Sequence, residues 1–464
     1  MTIALDFTNM MASALPDGGG ITEREWNDAR AAFEQAHRSV EALRASGALG
    51  FLALPTNDAL LARTLAVAAG ARNRFDDVLL LGIGGSALGP IALRTALRPP
   101  AWNALDQATR GGFPRLHVLD NVDPATIAAT LARLDLSRTI VLVVSKSGGT
   151  VETMAQYLIV RDALARALGD KRAREHLVFI TDPETGALRH IARAEGIATL
   201  DIPSNVGGRF SVLSPVGLLP AALIGIDVRA MLAGAADVTR RAATPDRTTN
   251  LPGVFAVLQW LSNTKHGRHV QVLMPYGDAL RDMALWWVQL WAESLGKIRP
   301  DGSHVGPTPL SAVGATDQHS QVQLFMEGPL DKTVTFIAVR GREGEGVIPS
   351  MHSDIPELGY LGGHTLGALL EIERRATSGA LAARGRFNAT ITLDVVDAWH
   401  IGALMQTLGI ATAYAGALYG IDAFNQPGVE LGKNFAYAML GRAGSEAART
   451  EWEALPKPDV RWQL

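Results

Sequence analysis

The chain has 464 residues, which is too many for one ordinary hydrophobic core, so we expect two domains with appended segments. Apolar residues make up 47% and charged residues 19%, a balance that indicates a globular protein and excludes a disordered one. The formal net charge of −3 gives no electrostatic reason to expect nucleic acid, and the absence of cysteine excludes disulfides, thiol catalysis and thiolate metal sites.

The first twenty residues contain neither a basic stretch nor an apolar stretch of the kind found in export signals. Together with the lack of cysteine, this predicts a cytoplasmic protein. The longest apolar stretch, Phe210–Ile226, is interrupted by prolines and is short for a bilayer span. We therefore expect it to be a loop that leads into a buried helix, and we expect no membrane association.

Residues 1–60 are predicted to form an N-terminal helical segment, because a charged, amphipathic run begins at Ile21 and continues through Arg44. Short apolar strands then alternate with helices. The predicted strands are Val78–Gly82, Leu116–Leu119, Ile140–Val144, Leu177–Thr181 and Thr199–Ile202. Strands that are apolar throughout and separated by helices are typical of a parallel sheet covered on both faces.

The second half repeats this pattern less regularly, with strands expected at Val270–Met274, Val334–Val339 and Phe387–Leu393 and a long helix at Ala398–Tyr419. The break at 242–246 favours a boundary near 225–245. We therefore predict an α/β protein with two units, each a mostly parallel sheet flanked by helices, at residues 61–225 and 226–430. Residues 431–464 are predicted to form a C-terminal helical tail.

Two turns follow strands of the first predicted sheet. In the first, GIGGSA at 82–87, the spacing loosely fits the G-x-G-x-x-A fingerprint of dinucleotide sites. The acidic residue that closes the next strand, Asp120, lies more than 30 residues after Gly84, whereas such sites place it about 20 residues on. A phosphate held by backbone N–H groups and the Ser86 hydroxyl is the favoured interpretation, and a turn that binds nothing is the alternative.

The second turn, SKSGGT at 145–150, carries three hydroxyls and one lysine ahead of a helix, without the spacing of a Walker loop. These groups are suited to a tetrahedral phosphate, although hydroxyls in such turns also serve as helix N-caps. Two turns at the carboxyl ends of neighbouring parallel strands face the same crevice. The sequence therefore favours a phosphomonoester over a dinucleotide.

Four motifs in one order resemble the phosphoglucose isomerase family: GIGGSALGP at 82–90, SKSGGT at 145–150, NVGGRFSVLSP at 205–215 and FNQPGVELGK at 424–433. The resemblance covers roughly residues 78–440. It implies two sugar-isomerase (SIS) domains, a homodimer with the active site at the subunit interface, and no metal or organic cofactor. The implied reaction interconverts glucose 6-phosphate and fructose 6-phosphate through ring opening and a cis-enediol.

The resemblance also implies a role for individual residues. Phosphate binding is implied for Ser86, Ser145, Lys146, Ser147 and Thr150. Glu293 is implied as the proton-transferring carboxylate, Arg209 as the arginine facing the enediol, and Gln289 and Gln426 as residues lining the sugar site. His319, donated by the neighbouring subunit, and Lys433 are implied in ring opening. Gly149 departs from the family, which commonly has a hydroxyl at that position.

The chemistry of isomerisation agrees with these residue types. Gln289 precedes Glu293 by four residues, so both side chains emerge on one helical face. Three nearby tryptophans are expected to exclude water from the carboxylate. Arg209 follows two glycines that let its backbone approach a ligand. His266 and His269 are interpreted as structural residues, because no further ligands with metal-site spacing accompany them.

Three alternatives stay open from the sequence alone. The first is a nicotinamide-dependent oxidoreductase that uses the turn at 82–87. The second is a sugar-phosphate sensor, although the N-terminal 60 residues show no helix-turn-helix and no basic cluster. The third is a bifunctional isomerase that also accepts mannose 6-phosphate.

Overall fold

The computed structural model of the chain describes residues 2–341 and 346–464. The strands within these residues are β1 Ile3–Asp6, β2 Asp77–Leu81, β3 Arg115–Leu119, β4 Thr139–Ser145, β5 Leu177–Thr181, β6 Ala198–Asp201, β7 Val270–Pro275, β8 Lys297–Ile298, β9 His304–Val305, β10 Thr308–Ser311, β11 Lys332–Val339 and β12 Phe387–Leu393.

The helices of the first half are α1 Glu23–Ala45, α2 Asp58–Ala71, α3 Leu88–Leu97, α4 Pro124–Arg133, α5 Val151–Leu168, α6 Asp170–Glu175, α7 Ala187–Glu195, α8 Pro215–Leu223 and α9 Val228–Arg241. Those of the second half are α10 Leu251–Thr264, α11 Arg281–Leu295, α12 Val322–Glu327, α13 Pro356–Gly359, α14 Leu366–Ala383, α15 Ala398–Tyr419, α16 Glu430–Met439 and α17 Glu446–Glu453.

Two five-stranded sheets organise the chain. The first has the order β3-β2-β4-β5-β6 and is parallel throughout. The second has the order β1-β12-β11-β7-β10 and is parallel except for β1, which pairs antiparallel with β12. Helices α4, α5 and α7 pack on strands of the first sheet, and α10, α11 and α14 on strands of the second. The predicted α/β fold with mostly parallel sheets is confirmed.

The strands β2, β4 and β5 are buried at every residue, as their continuous apolar sequences predict. Helix α15 packs against α1, α9, α10 and α11 at the centre of the largest hydrophobic core cluster, which contains residues of both sheets. It is long and apolar enough to cross a membrane, but 89% of its most apolar window is buried inside the fold. We therefore assign α15 as the central core helix.

The helical prediction for residues 1–60 misses strand β1. This strand has only four residues, and it forms because it pairs with β12, almost 400 positions further along the chain. Helix α1 begins as predicted, with Thr22 and Glu25 forming a capping box. Lys433 lies in α16, which is followed by α17 in the C-terminal tail. The domain bounds at 60, 225 and 430 stay predictions.

A buried carboxylate anchors the first sheet at the end opposite the glycine turn after β2 and the hydroxyl turn after β4. Asp77 is fully buried at the start of β2 and accepts hydrogen bonds from Arg115 (2.6 and 2.7 Å) and His117 (2.8 Å) on β3. Burial alone would raise the pKa of Asp77, but these hydrogen bonds outweigh it and hold the pKa below its usual range. The carboxylate therefore fixes the register of the strand that leads into the glycine turn.

We predict that Asp77→Asn lowers the free energy of unfolding at pH 7 by about 2 kcal/mol, because Arg115 and His117 lose their charged acceptor. The pKa of Asp77 is depressed in the folded state, so its contribution is complete above the unfolded value of about 3.9 and is lost as the pH falls through the lower folded value. Urea unfolding from pH 7 down to pH 3 should show the difference from wild type shrinking below about pH 4.

The matched control is Asp120→Asn, since Asp120 is exposed after the neighbouring strand β3 and its side chain bonds no described residue. It should change stability by less than about 0.5 kcal/mol. An equal loss in both variants would contradict the role given to Asp77.

Candidate active site

The glycine turn after β2 is packed between two other site elements. The turn residues Gly84–Ser86 form one short 3₁₀ turn, and Gly84 has φ of +56°. A Cβ on Gly84 would lie 2.8 Å from the Gln289 side-chain nitrogen, and one on Gly85 would lie 2.4 Å from the Gly208 carbonyl oxygen. The glycines thus allow the turn to touch both α11 and the loop that carries Arg209.

The hydroxyl turn after β4 brings three side chains together. The Ser145 hydroxyl lies 2.9 Å from the Thr150 hydroxyl and 3.4 Å from the Ser147 hydroxyl, and the Ser147–Thr150 distance is 3.3 Å. Because hydroxyl hydrogens rotate, these groups can turn from one another to donate to a bound oxyanion. Thr150 precedes the first turn of α5, where the helix dipole also favours negative charge.

Two further predicted phosphate ligands lie at the edges of this region. The Lys146 ammonium donates to the Ser204 carbonyl oxygen at 2.9 Å, in the loop that leads to Arg209. Burial lowers the pKa of Lys146, while the charge of Asp182 opposes that shift. Ser86 is half-buried at the end of the glycine turn and makes no side-chain hydrogen bond within the described residues. Neither group contacts the three hydroxyls directly.

Arg209 is the most densely bonded side chain of the site, and it is only 4% exposed. Its Nε donates to the Ser294 hydroxyl (2.7 Å), and its Nη2 donates to the carbonyl oxygens of Ala423 (2.6 Å) and Asn425 (3.0 Å). Its Nη1 donates to the Glu293 carboxylate oxygen Oε1 (3.2 Å) and to the Gln426 amide oxygen Oε1 (3.1 Å).

The charge of Arg209 is compensated locally. Burial lowers its pKa, and the negative charges of Glu293 and Asp422 oppose that shift. A guanidinium keeps its proton throughout the usual pH range, so a permanent positive charge lies within hydrogen-bond distance of the Glu293 carboxylate.

Glu293 is fixed at both carboxylate oxygens. Oε1 accepts from Arg209, and Oε2 accepts from the Gln289 amide at 3.1 Å, as their four-residue spacing on α11 predicts. The side chain is 27% exposed, so it is both oriented and accessible. Lys297 donates to the carbonyl oxygens of Glu293 (2.6 Å) and Ser294 (2.9 Å), which satisfies carbonyls in the last turn of the helix.

The tryptophans of α11 do not exclude water from Glu293, contrary to the prediction. Trp286, Trp287 and Trp291 are nearly fully buried, whereas the Glu293 side chain reaches solvent. Trp287 and Trp291 pack against each other, and the Trp291 indole nitrogen donates to Gln271 on β7. They hold α11 against the second sheet and so position the residues of its last turn.

His319 and Lys433 are not brought to this cluster within one chain. His319 is exposed at the end of the 3₁₀ turn Thr316–His319 and makes no contact with Arg209 or Glu293. The Lys433 ammonium, 48% exposed, pairs with Glu430 in its own helix at 2.9 Å. His266 lies 3.4 Å from Glu25, and His269 lies 3.1 Å from the Asn263 amide, and their interpretation as structural residues stays a prediction.

Sequence reasoning missed three contributors to the cluster. Ser294 and the carbonyl oxygens of Ala423 and Asn425 hold three of the five hydrogen bonds of Arg209. Ser294 could have been suspected from its position beside Glu293. The two carbonyl groups could not have been predicted, because every residue has a backbone carbonyl and residue type does not distinguish them.

Comparison with known proteins shows the family of the chain. The model of the phosphoglucose isomerase family matches residues 64–355 and 375–455. The chain belongs to the phosphoglucose isomerase family. A glucose-6-phosphate isomerase of Rubrobacter xylanophilus is 46% identical over 447 residues, which cover 96% of this chain and 99% of that protein. One from Carboxydothermus hydrogenoformans is 42% identical over 455 residues, 97% of each chain.

Two solved structures confirm the family fold. A hypothetical protein from Thermus thermophilus is 37% identical with a TM-score of 0.84, covering 95% of this chain and 100% of its own. A glucose-6-phosphate isomerase from Chlamydia trachomatis is 25% identical with a TM-score of 0.72, covering 86% and 77%. The resemblance carried by the four motifs therefore extends over nearly the whole chain.

We predict that Gly85→Ala destabilises this phosphoglucose isomerase family member by about 1–3 kcal/mol, because the added methyl group must displace the backbone of Gly208 or Arg209. The catalytic efficiency kcat/KM should fall as well, since Arg209 shifts relative to Glu293. Thermal unfolding and steady-state assays measure the two effects. Gly208→Ala is the control, because a Cβ there meets nothing within 4 Å. Equal melting temperatures for the two variants would show that the contact is unimportant.

Proposed function

We propose that Glu293 transfers the proton in the reaction of this chain, the interconversion of glucose 6-phosphate and fructose 6-phosphate. The observation that supports this role is the fixed orientation of an accessible carboxylate between Arg209 and Gln289. In the opened sugar, Glu293 removes the proton from carbon 2 of the aldose, the C–H electron pair forms the C1–C2 double bond, and the carbonyl electrons move onto O1, which takes up a proton to give the cis-enediol. The O2 hydroxyl then loses its proton as Glu293 returns a proton to carbon 1, which gives the ketose, so the proton count is unchanged and no electron acceptor is consumed.

Arg209 stabilises the enediolate oxygens in this proposal. Its Nη1 faces Glu293 and Gln426, which leaves the permanent charge next to the position where the proton is removed. Because the guanidinium is already held by Ser294 and two carbonyls, it needs little rearrangement when negative charge develops. Gln289 and Gln426 line the sugar site on either side of this pair.

The phosphate is held by the two turns after β2 and β4. The cluster of Ser145, Ser147 and Thr150 hydroxyls supports this assignment, and Ser86 and Lys146 supply further donors from its edges. Gly149 adds only its backbone N–H, which donates to the Ser147 hydroxyl at 3.4 Å. The close packing of Gly84 and Gly85 against neighbouring elements argues against a dinucleotide pyrophosphate on the glycine turn.

Ring opening is assigned to His319 and Lys433, and His319 is contributed by a second subunit of a homodimer. Two observations support a shared site: His319 does not reach Glu293 within its own chain, and large apolar side chains are exposed around the C-terminal tail and residues 347–372. These include Met351, Tyr360, Leu366, Leu431, Leu440 and Trp462, each more than half exposed. A cysteine-free chain also suits a cytoplasmic location.

We predict that Glu293→Gln lowers kcat by a factor of about 10²–10⁴ while KM for fructose 6-phosphate changes little, because glutamine keeps the side-chain shape but accepts no proton. A coupled assay that detects glucose 6-phosphate measures both constants. Glu175→Gln is the matched control, since Glu175 is an exposed glutamate in the last turn of α6. Loss of substrate binding with normal turnover would contradict the assigned role.

A second prediction tests the shared site. Glu293→Gln and His319→Ala homodimers should each be nearly inactive, but random exchange of their subunits should restore about a quarter of wild-type activity, because each mixed dimer then has one intact site. The control mixes Glu293→Gln with Arg209→Lys. These two residues contact each other within one chain, so no intact site forms. Failure of the first mixture to recover activity would place His319 in the site of its own chain.

A further inference from the structure

A cavity of about 360 Å³ lies at the end of α3 away from the glycine turn, and three arginines line it. Arg94 and Arg98 come from the end of α3, and Arg133 comes from the last turn of α4. Trp102 lines the same cavity, with the Arg98 guanidinium 5.3 Å from the centre of its ring. We call this feature the arginine cavity. Its volume falls in the lower part of the range for small-molecule sites.

The arginines of this cavity carry positive charge without a paired carboxylate. None of the three forms an ion pair with any residue in the described part of the chain. Arg94 donates to the Leu116 carbonyl oxygen (2.9 Å), and Arg98 donates to that of Leu97 (2.6 Å). A guanidinium has five N–H donors, so most of theirs are uncommitted. Burial lowers the pKa of Arg94 and of Arg98, and the charge of Asp282 offsets the shift at Arg94 only in part.

The cavity is separate from the active site but connected to it. None of its lining residues belongs to the cluster around Arg209 and Glu293. Helix α3 begins directly after the glycine turn and packs along α11. At the cavity end, the Thr95 hydroxyl donates to Asp282 in the first turn of α11. The two helices that leave the cavity therefore end at the turn and at the catalytic carboxylate.

We propose that the arginine cavity is an effector site for a small, multiply charged phosphate anion. Planar guanidinium groups bind phosphate oxygens through paired, charge-assisted hydrogen bonds, and three of them face one small volume here. The anion supplies the negative charge that the cavity lacks. Its binding orders the end of α3, and the contact between α3 and α11 transmits that change to the site. The proposal therefore has two parts: the anion binds in the arginine cavity, and this binding is coupled to the active site.

Inorganic pyrophosphate is the probe for binding, measured by isothermal titration calorimetry at physiological salt. The wild-type protein should show two sites per chain, one at the hydroxyl turn and one in the arginine cavity. Arg98→Gln/Arg133→Gln should weaken one of them at least about tenfold, and Ser145→Ala/Thr150→Ala should weaken the other. If the double variant is unstable, Arg133→Gln alone replaces it in the test, because Arg133 is exposed and its side chain has no partner among the described residues.

The matched control is Arg172→Gln, which removes an exposed arginine from the last turn of α6 and should leave both sites unchanged. A single site that only the Ser145→Ala/Thr150→Ala variant weakens would overturn the proposal. The proposal also fails if the control weakens binding as much as Arg133→Gln does, because the effect would then be one of general charge.

Coupling is tested by steady-state kinetics with pyrophosphate as an inhibitor. In wild type, pyrophosphate should change kcat as well as KM, because one molecule competes at the active site and another binds at the cavity. In Arg98→Gln/Arg133→Gln the inhibition should become purely competitive, with uninhibited activity unaffected. Purely competitive inhibition in both proteins would overturn the effector role.

Discussion

The buried guanidinium of Arg209 is the constraint on which the site depends. A permanent charge that is 4% exposed is tolerated only when its donors are satisfied, and here five acceptors from two parts of the chain, the end of α11 and the loop 423–426, satisfy them. Because Glu293 is one of these acceptors, the burial of Arg209 also fixes the position of the Glu293 carboxylate. In the proposed reaction, the proton acceptor Glu293 and the oxyanion stabiliser Arg209 would thereby be preorganised relative to each other.

The glycines of the first turn make this arrangement possible. At Gly85 the backbone of the turn lies so close to Gly208 that no side chain fits, and at Gly84 the Gln289 amide occupies the space of a side chain. A glycine-rich turn after a parallel strand usually indicates backbone N–H groups open to a phosphate. Here the same residues bring the first sheet, the Arg209 loop and α11 into contact, and the neighbouring hydroxyl turn offers the denser set of phosphate donors.

The local parts of this structure could be predicted from the sequence, and the long-range parts could not. Strands such as β4 and β5 are indicated by continuous apolar residues between turns, and the pairing of Gln289 with Glu293 follows from helical spacing. Strand β1 depends on β12, and the bonds from Arg209 to Ala423 and Asn425 end on carbonyls. The tryptophans of α11 looked like shields for Glu293 because sequence shows proximity but not which face is buried.

The distribution of the remaining candidate site residues suits the proposed homodimer. One chain forms the Arg209–Glu293 pair and the hydroxyl turn by itself, because these lie at the ends of buried elements. His319 and Lys433 lie on exposed segments instead, the latter in a C-terminal tail whose helices α16 and α17 pack mainly on each other. Apolar side chains exposed along that tail gain hydrophobic stabilisation only by covering another surface. In the proposed homodimer, association that buries them would stabilise the protein and also bring His319 to the site of the other subunit, so activity would depend on the concentration of assembled subunits.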